Sequence, residues 1–334
     1  MTTRPDDLVD TYLWDPATAP APEVQLVERR LAPLRLTADL RRGAGRRTRR
    51  RWPLVLAAAA VVLVALGATL WTWRLSWPES RAWAMTATSA SAPERLAVGA
   101  PLELDAAERA DVAIARIGTM FVGGDARVTL LSTQGTRHRL ALDRGTVRVR
   151  VWAPPSSVVF RTPAGEVIDL GCEFELTADA DRTRVRVLSG WVQIENTIAE
   201  ALIPAGASGE MRIGAPPAIP VFDDAPAALA AGVRAIERGE GDAAGHAAAI
   251  AAAARPRDVY TLLMIVDRGL PGRERLAARA AELLPPPDGV TVNGVLRGDR
   301  DALWQWRDTL LLPPAKSWLR NWRDALPAWL APRR

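Results

Sequence analysis

An uncharged, strongly apolar run extends from Pro53 to Trp73, and no other feature of the sequence restricts the fold as much. As an α-helix its 21 residues would be about 31 Å long, which matches the hydrocarbon core of a bilayer. We therefore predict a single transmembrane helix over residues 52–73. Tryptophans at both ends favour this prediction, because indole rings concentrate at membrane interfaces.

Arginines are concentrated on one side of this run. The basic juxtamembrane run, residues 41–51, holds seven of them, whereas the twenty residues after Trp73 hold only Arg74 and Arg81. The positive-inside rule then places residues 1–51 in the cytoplasm and residues 74–334 across the bilayer. The residues predicted to lie at the membrane interface are Arg49, Arg50, Arg51, Trp52, Trp71 and Trp73.

Three other interpretations of the apolar run compete with a permanent anchor. It could be the buried core helix of a soluble domain. It could be a cleaved signal peptide, with the small residues "TATSASA" at 86–92 as the cleavage site. The stretch "TRRRWPL" at 48–54 suggests a twin-arginine export signal.

The composition excludes several function classes. One cysteine, Cys172, rules out an intrachain disulfide and a two-cysteine zinc site. Only two histidines are present, and no Ser-His-Asp set, metal-spaced cluster or phosphate loop occurs. The net charge of +5 comes from arginines gathered before the apolar run, not from a basic face with aromatics between. We expect no enzyme activity, cofactor, metal site or nucleic-acid partner.

The segment 1–40 is net acidic and carries two short amphipathic patterns. Val24, Val27, Leu31 and Leu34 are spaced as one apolar helix face. Two helices of this size cannot bury a core alone, so the segment is either a disordered acidic tail or a partner-binding segment. The predicted anchors for a partner are Tyr12, Leu13, Trp14, Val24, Leu31 and Leu34.

After a predicted stalk at 74–94, the apolar period changes to two. "GTVRVRV" at 145–151 alternates valine with arginine. "TRVRVLSGWVQIEN" at 183–196 alternates apolar with polar residues, with Val185 and Val187 before a Ser-Gly turn and Val192 and Ile194 after it. Such patterns are typical of half-buried strands. We predict an all-β domain over 95–222, either antiparallel or β-solenoid-like.

The stretch "FRTPAGEVIDLGCEFELTADADRTRVRVLSGWVQIEN" at 160–196 resembles the core of the FecR domain. The shared features are a Thr-Pro-x-Gly turn, a glycine step before phenylalanine, and two valine-rich strands around a glycine. The matching structural residues are Thr162, Pro163, Gly165, Gly171, Phe174, Val185, Val187 and Gly190. Cys172 stands where members of that family often have threonine.

The resemblance implies a transmembrane signalling protein of the inner membrane, with the FecR-type domain in the periplasm. It implies that this domain receives a signal from a periplasmic or outer-membrane protein. It also implies that the cytoplasmic segment regulates an extracytoplasmic-function (ECF-type) sigma factor, as an anti-sigma factor does.

Two features of the predicted β domain invite further hypotheses. Cys172 is either a redox sensor or a packed strand cysteine, and the acids on either side of it favour packing. Arg148, Arg150, Arg184 and Arg186 form either a basic strip for an anionic partner or a solvated sheet face. We favour the solvated face.

The period returns to helical after Pro226, and we predict an all-α domain over 225–334. Within it Asp258 is predicted to cap a helix that ends at Gly269. Trp318, Trp322 and Trp329 make the last part rich in tryptophan, which fits a small helical core or a membrane-interface helix.

The prediction as a whole is a multi-domain, single-span membrane protein that relays an envelope signal to a sigma factor. A second hypothesis belongs to another class. It describes a membrane-anchored envelope protein that binds glycan or protein and has no role in transcription. Replacing residues 1–40 with an unrelated tail separates the two, since only the first requires that segment.

Overall fold

The computed structural model describes residues 22–32, 52–88, 94–310 and 312. The chain divides into two compact units, residues 1–67 and residues 68–334. The helices are α1 (Pro22–Leu31), α2 (Trp52–Leu75), α3 (Ala227–Arg238), α4 (Ala243–Ala253), α5 (Val259–Asp267), α6 (Arg273–Leu283), α7 (Val292–Leu296) and α8 (Arg300–Asp308).

Fifteen strands are formed in the described part of the second unit. They are β1 (Trp83–Ala87), β2 (Arg95–Leu96), β3 (Pro101–Glu103), β4 (Ala110–Ile114), β5 (Gly118–Val122), β6 (Arg127–Gln134), β7 (Arg137–Val151), β8 (Val158–Thr162), β9 (Gly165–Asp169), β10 (Glu173–Ala178), β11 (Arg182–Ser189), β12 (Trp191–Glu195), β13 (Glu200–Pro204), β14 (Ala207–Arg212) and β15 (Val221–Phe222). Burial alternates along most of them, as the period of two predicts.

Strand β7 belongs to two sheets at once. Its first half, up to Arg144, lies between β6 and β8 in the order β3-β6-β7-β8-β9-β12-β13. Its second half, from Gly145, lies between β5 and β10 in the order β1-β4-β5-β7-β10-β11-β14-β15. Phe160 of β8 meets Phe174 of β10 edge to face, with ring centroids 6.1 Å apart, so the two sheets share one core.

The prediction of a purely antiparallel or solenoid-like sheet was wrong in part. Strands β7 and β8 pair in parallel, with His138 opposite Val158, while the other strand pairs in the described residues are antiparallel. The loop 152–157 carries the chain back to the start of β7, which a hairpin turn cannot do. The sheet is therefore mixed.

Gly145 lies within β7 and does not end it. The chain runs through it at φ +95° from one sheet into the other. A Cβ atom on this residue would lie 2.4 Å from the Cα of Ala126, so only glycine allows the approach. The Ser-Gly turn at Gly190 is likewise a crossing, because β11 and β12 pair with other strands and not with each other.

Part of the predicted stalk belongs to the sheet. Trp83 in β1 is fully buried, and its Nε1–H donates to Oγ1 of Thr133 at 3.1 Å. Farther upstream, the N–H of Ser80 donates to the carbonyl oxygen of Thr133, and the N–H of Gly135 donates to that of Trp77. The segment 77–83 is therefore hydrogen-bonded to the turn between β6 and β7.

The helices from α3 onward share a core with the strands. Tyr260 of α5 donates its hydroxyl hydrogen to the carbonyl oxygen of Leu202 at 2.5 Å, and its ring lies 5.8 Å from that of Trp191. Leu229, Val233 and Ile236 face inward from α3. This part of the chain is helical, as expected.

Asp258 caps a different element from the one predicted. Its carboxylate accepts the N–H of Arg255 at 2.9 Å and Nε–H of the same residue at 2.7 Å, and it makes no side-chain cap to α5. It therefore closes the 3-10 turn Pro256–Asp258 that precedes α5. The guanidinium of Arg255 neutralises this fully buried carboxylate.

Candidate functional site at the end of the apolar helix

Helix α1 presents an exposed apolar face within the first unit. Val27 and Leu31 are 53% and 51% exposed, and Val24 on the same face is half-buried. The other predicted anchors, Tyr12, Leu13, Trp14 and Leu34, lie outside the described residues. The geometry of α1 thus agrees with the spacing of the apolar seam, while the partner role remains a prediction.

Helix α2 is long enough and apolar enough to cross a membrane, judged by length and composition. Its window Leu56–Leu75 has a mean hydropathy of 1.9 and no buried part, which argues against a core helix. It is the one such helix among the described residues. Of the predicted interface residues, Arg49, Arg50 and Arg51 lie outside the described residues, Trp52 begins α2, and Trp71 and Trp73 lie in its last turns.

Arg116 joins the end of α2 to the β sandwich, which consists of the two sheets that share strand β7 and one core. It sits in the tight turn between β4 and β5, where Ala115 has φ +48°. Its guanidinium carbon lies 3.9 Å from the ring centroid of Trp73 and 5.2 Å from that of Trp77. Its NH1 donates to the carbonyl oxygens of Trp73 and Ser76, each at 2.9 Å.

These contacts stabilise the end of the helix through hydrogen bonds, through the helix dipole and through stacking on an aromatic ring. The last four carbonyls of an α-helix lack helical partners, and a cation there is favoured by the helix dipole. The planar guanidinium also stacks on the indole face, where the ring quadrupole attracts it. Arg116 therefore fixes both the position and the direction of the chain as it leaves α2.

Trp152 makes a second contact with the same turns. Its ring meets that of Trp71 edge to face at 5.4 Å, and the guanidinium of Arg74 lies 5.0 Å from its centroid. The backbone N–H of Trp152 donates to the carbonyl oxygen of Ile117, beside Arg116. Both contacts therefore rest on one corner of the sandwich, formed by the β4–β5 turn and the end of β7.

Sequence reasoning found Trp71 and Trp73 but missed Arg116 and Trp152. The hydrogen bonds of Arg116 cross 43 and 40 residues of sequence. No periodicity or spacing marks a single arginine in a turn as a helix cap. The tryptophans were predicted to face a membrane interface, and the structure shows that they also contact the sandwich.

The residues that carry the family resemblance build the join between the two sheets. Oγ1–H of Thr183 in β11 donates to Oγ1 of Thr162 in β8 at 2.7 Å, and both side chains are buried. Gly165 starts β9 at φ +151°, where a Cβ atom would lie 2.3 Å from the carbonyl oxygen of Glu195. Val185 and Val187 are fully buried beside Phe174.

The remaining motif residues shape the turns. Pro163 lies in the turn between β8 and β9. Gly171 and Gly190 have φ of +88° and +73°, which favour glycine. Asp169 is fully buried, and its Oδ1 accepts the N–H groups of Gly171 and Cys172 at 3.0 Å each. Cys172 is buried as well, with Sγ 2.7 Å from the same oxygen, in agreement with a packed cysteine.

The four arginines of the predicted basic strip lie opposite carboxylates. Arg148 contacts Glu173 at 2.6 Å, Arg184 contacts Glu210 at 3.2 Å and Arg186 contacts Asp223 at 2.8 Å. Arg150 faces Glu173 across the β7–β10 pair. This supports a solvated sheet face. In the described part of the chain, no three His, Cys, Asp or Glu side chains group as metal ligands.

Comparison with known proteins agrees with the motif. Residues 102–193 match the family described as FecR protein, which confirms the resemblance. Two crystal structures of a candidate anti-sigma factor from Parabacteroides distasonis ATCC 8503, at 1.65 Å and 2.50 Å resolution, are 13% identical to this chain, with TM-scores of 0.33 and 0.32. Each alignment covers 37% of this chain and 60% of the solved one. No protein with a curated description matches the chain.

Proposed function

Since residues 102–193 form a FecR-type domain, we propose that this chain is a single-span inner-membrane protein that regulates an ECF-type sigma factor. The family match is the observation that carries the proposal. In this scheme residues 1–51 lie in the cytoplasm, α2 crosses the bilayer, and the sandwich and the helices after it lie in the periplasm. A periplasmic or outer-membrane protein supplies the signal.

The exposed face of α1 supports the cytoplasmic half of the proposal. Val27 and Leu31 leave about half of their surface in water. Apolar side chains spaced along one helix face are the anchors by which a helix binds in a groove. The sigma factor would supply that groove.

The arginine-rich run supports the orientation. Seven arginines in residues 41–51 would hold the N-terminal side of α2 in the cytoplasm. Reporter fusions check this directly. Alkaline phosphatase fused after residue 310 is expected to be active, and the same enzyme fused before residue 22 is expected to be inactive.

The junction at Arg116 supports a route for the signal. The turn that carries Arg116 joins two strands of the sandwich, and Arg116 donates to the carbonyl oxygen of Trp73 in the last turn of α2 and to that of Ser76 just after it. A change in the packing of β4 and β5 would therefore displace the end of the helix. Transmission by shift or rotation of one helix needs such a rigid connection.

The test of sigma-factor binding uses two matched variants of the full chain. Leu31 and Leu26 are both exposed leucines of α1, and at 100° per residue they lie about 140° apart around the helix. Leu31→Glu places a charge on the predicted seam, and Leu26→Glu places the same charge away from it. Each is purified from membranes after co-expression with the ECF-type sigma factors of the source organism.

We expect one sigma factor to copurify with the natural chain and with Leu26→Glu, and to be lost from Leu31→Glu. Equal recovery with both variants would contradict binding through this face. Full function after exchange of residues 1–40 for an unrelated tail would contradict the regulatory proposal altogether. That result would instead favour a membrane-anchored envelope protein.

A further inference from the structure

A cleft of about 1040 Å³ opens between the outer strands of the sandwich and helix α3. Strands β11, β14 and β15 form one wall, and α3 with the residue pair Arg268 and Leu270 forms the other. We infer that this cleft binds an organic anion, a molecule with carboxylate or phosphate groups on an apolar body. The inference goes beyond sigma-factor regulation and does not depend on it.

The charge of the cleft is strongly unbalanced. Six arginines line it against three carboxylates, which are Glu210, Asp223 and Glu237. The arginines are Arg182, Arg184, Arg212, Arg234, Arg238 and Arg268. Guanidinium groups bind carboxylates and phosphates through paired hydrogen bonds, so an arginine-lined cleft selects oxyanions.

The strand wall holds like charges face to face. Arg182 and Arg212 are directly opposite each other in the β11–β14 pair. Such a pair destabilises a sheet unless an anion lies between or beside the two cations. Arg212 and Arg184 share the carboxylate of Glu210, at 2.7 Å and 3.2 Å, and the nearest carboxylate to Arg182 is Asp179 at 3.6 Å. The guanidinium groups of the strand wall therefore have more N–H donors than the neighbouring carboxylates can accept.

The helix wall presents Arg234 toward the same space. One face of α3 lines the cleft. Its residues are spaced three and four apart and are Ala230, Val233, Arg234, Glu237 and Arg238. Arg238 pairs with Glu240, whereas Arg234 is exposed and has no ion-pair partner among the described residues.

The carboxylates of the cleft are already engaged. Glu237 accepts the N–H of Ile219 and lies 3.4 Å from Arg268, with both side chains four-fifths or more buried. Burial raises the pKa of Glu237, while the N–H of Ile219 and the guanidinium of Arg268 stabilise its carboxylate. The acids of the cleft therefore repel a bound anion less than their number suggests.

Apolar side chains occupy the space between the two walls. Ile219, Val221, Val233 and Leu270 line the cleft together with Phe222. Ile219, Phe222 and Val233 are buried, whereas Val221 and Leu270 are half-buried. A bare inorganic ion would leave the exposed parts of Val221 and Leu270 in water, and a ligand with an apolar body covers them. The volume is at the upper end for small-molecule sites, which leaves room for such a body.

The test uses 1-naphthyl phosphate as the probe and 1-naphthol as its uncharged control. The full chain is placed in phosphatidylcholine nanodiscs and titrated by calorimetry. We expect one saturable site for naphthyl phosphate and about tenfold weaker binding in Arg234→Gln and in Arg212→Gln, because each loses a charged hydrogen bond. Arg139→Gln, which removes a paired arginine outside the cleft, is the matched control and should bind within about twofold of the natural chain.

Three results would overturn the inference: no saturable binding, naphthol binding as tightly as naphthyl phosphate, or equal loss in Arg234→Gln and Arg139→Gln. Arg234 is exposed and forms no ion pair among the described residues, so unfolding of that variant is not expected, and its melting temperature checks this. Phosphatidylglycerol nanodiscs identify the source of the anion. Loss of naphthyl phosphate binding there indicates a lipid headgroup, and retained binding indicates a soluble anion.

Discussion

The guanidinium of Arg116 stacks on the indole of Trp73 at 3.9 Å and donates a hydrogen bond to the carbonyl oxygen of the same residue at 2.9 Å. One side chain from a strand turn thereby holds both the side chain and the backbone of the last helical turn. The end of the apolar helix is fixed to the sandwich at this point, and the strength of that attachment can be measured.

Arg116→Ala is expected to release the end of the helix without disturbing the sandwich. The loss of the stack and of two carbonyl partners should cost about 1–2 kcal/mol locally. Hydrogen exchange of the amides at 72–78 should become faster, while exchange in β8 to β12 stays unchanged. Arg81→Ala is the control. The guanidinium of Arg81 lies 5.2 Å from the ring centroid of Trp77, and Nε1–H of Trp77 donates to the backbone carbonyl oxygen of Arg81, which the substitution keeps. Equal effects of the two variants would argue against the clamp.

Gly145→Ala is expected to lower the free energy of unfolding by about 3 kcal/mol. The new Cβ atom would lie 2.4 Å from the Cα of Ala126, and φ of +95° disfavours alanine. Gly135→Ala is the matched control, because Gly135 has φ of +55° but no atom within 4 Å of its Cβ position. It should cost about 1 kcal/mol. Denaturant unfolding measures both, and equal losses would contradict a bend of β7 at Gly145.

Stability is expected to fall between pH 6.5 and pH 4 because of His138. Its ring is buried, and Nδ1 lies 2.7 Å from Oγ1 of Thr133, which already accepts a hydrogen bond from Trp83. Nε2 of the same ring is buried and has no hydrogen-bond partner among the described residues, so a protonated ring would bury an unpaired N–H donor. Burial lowers the pKa of His138 to about 4.

The sign of this dependence follows from proton binding. Between pH 4 and 6.5 the unfolded chain binds a proton at His138 and the folded chain does not, so protonation favours unfolding. The contribution is fully present above pH 6.5 and amounts to about 3 kcal/mol. Thermal unfolding over this range should show the slope in the natural chain and a reduced slope in His138→Asn. An identical slope in both would assign the effect to other groups.

Tyr260→Phe is expected to weaken the contact between the helices and the strands by about 1 kcal/mol. It removes the bond to the carbonyl oxygen of Leu202 but keeps the ring that packs on Trp191 and Phe222. Tyr260→Ala removes both and should cost about 4 kcal/mol. Unfolding monitored by far-ultraviolet circular dichroism and by tryptophan fluorescence should remain coincident in Tyr260→Phe. Separate transitions in the natural chain would show that strands and helices do not share one core.

Much of the local structure could be predicted from the sequence. The uncharged, strongly apolar run between Pro53 and Trp73 predicted α2, because a helix of that length satisfies its own backbone hydrogen bonds. Alternation of valine and arginine predicted β11 and the second half of β7, and the Thr-Pro-x-Gly and Gly-x-x-Phe features identified the FecR-type domain. Each of these signals depends on residues that are close in the sequence.

Pairing and contact over long distances depended on the tertiary structure alone. The parallel alignment of β7 with β8, the passage of β7 through Gly145 and the bond from Thr183 to Thr162 are not encoded in any local period. The same holds for Arg116, whose role exists only because the fold places a strand turn beside the end of a helix. A periodic pattern specifies which side of an element is apolar, whereas packing of the whole core determines which elements meet.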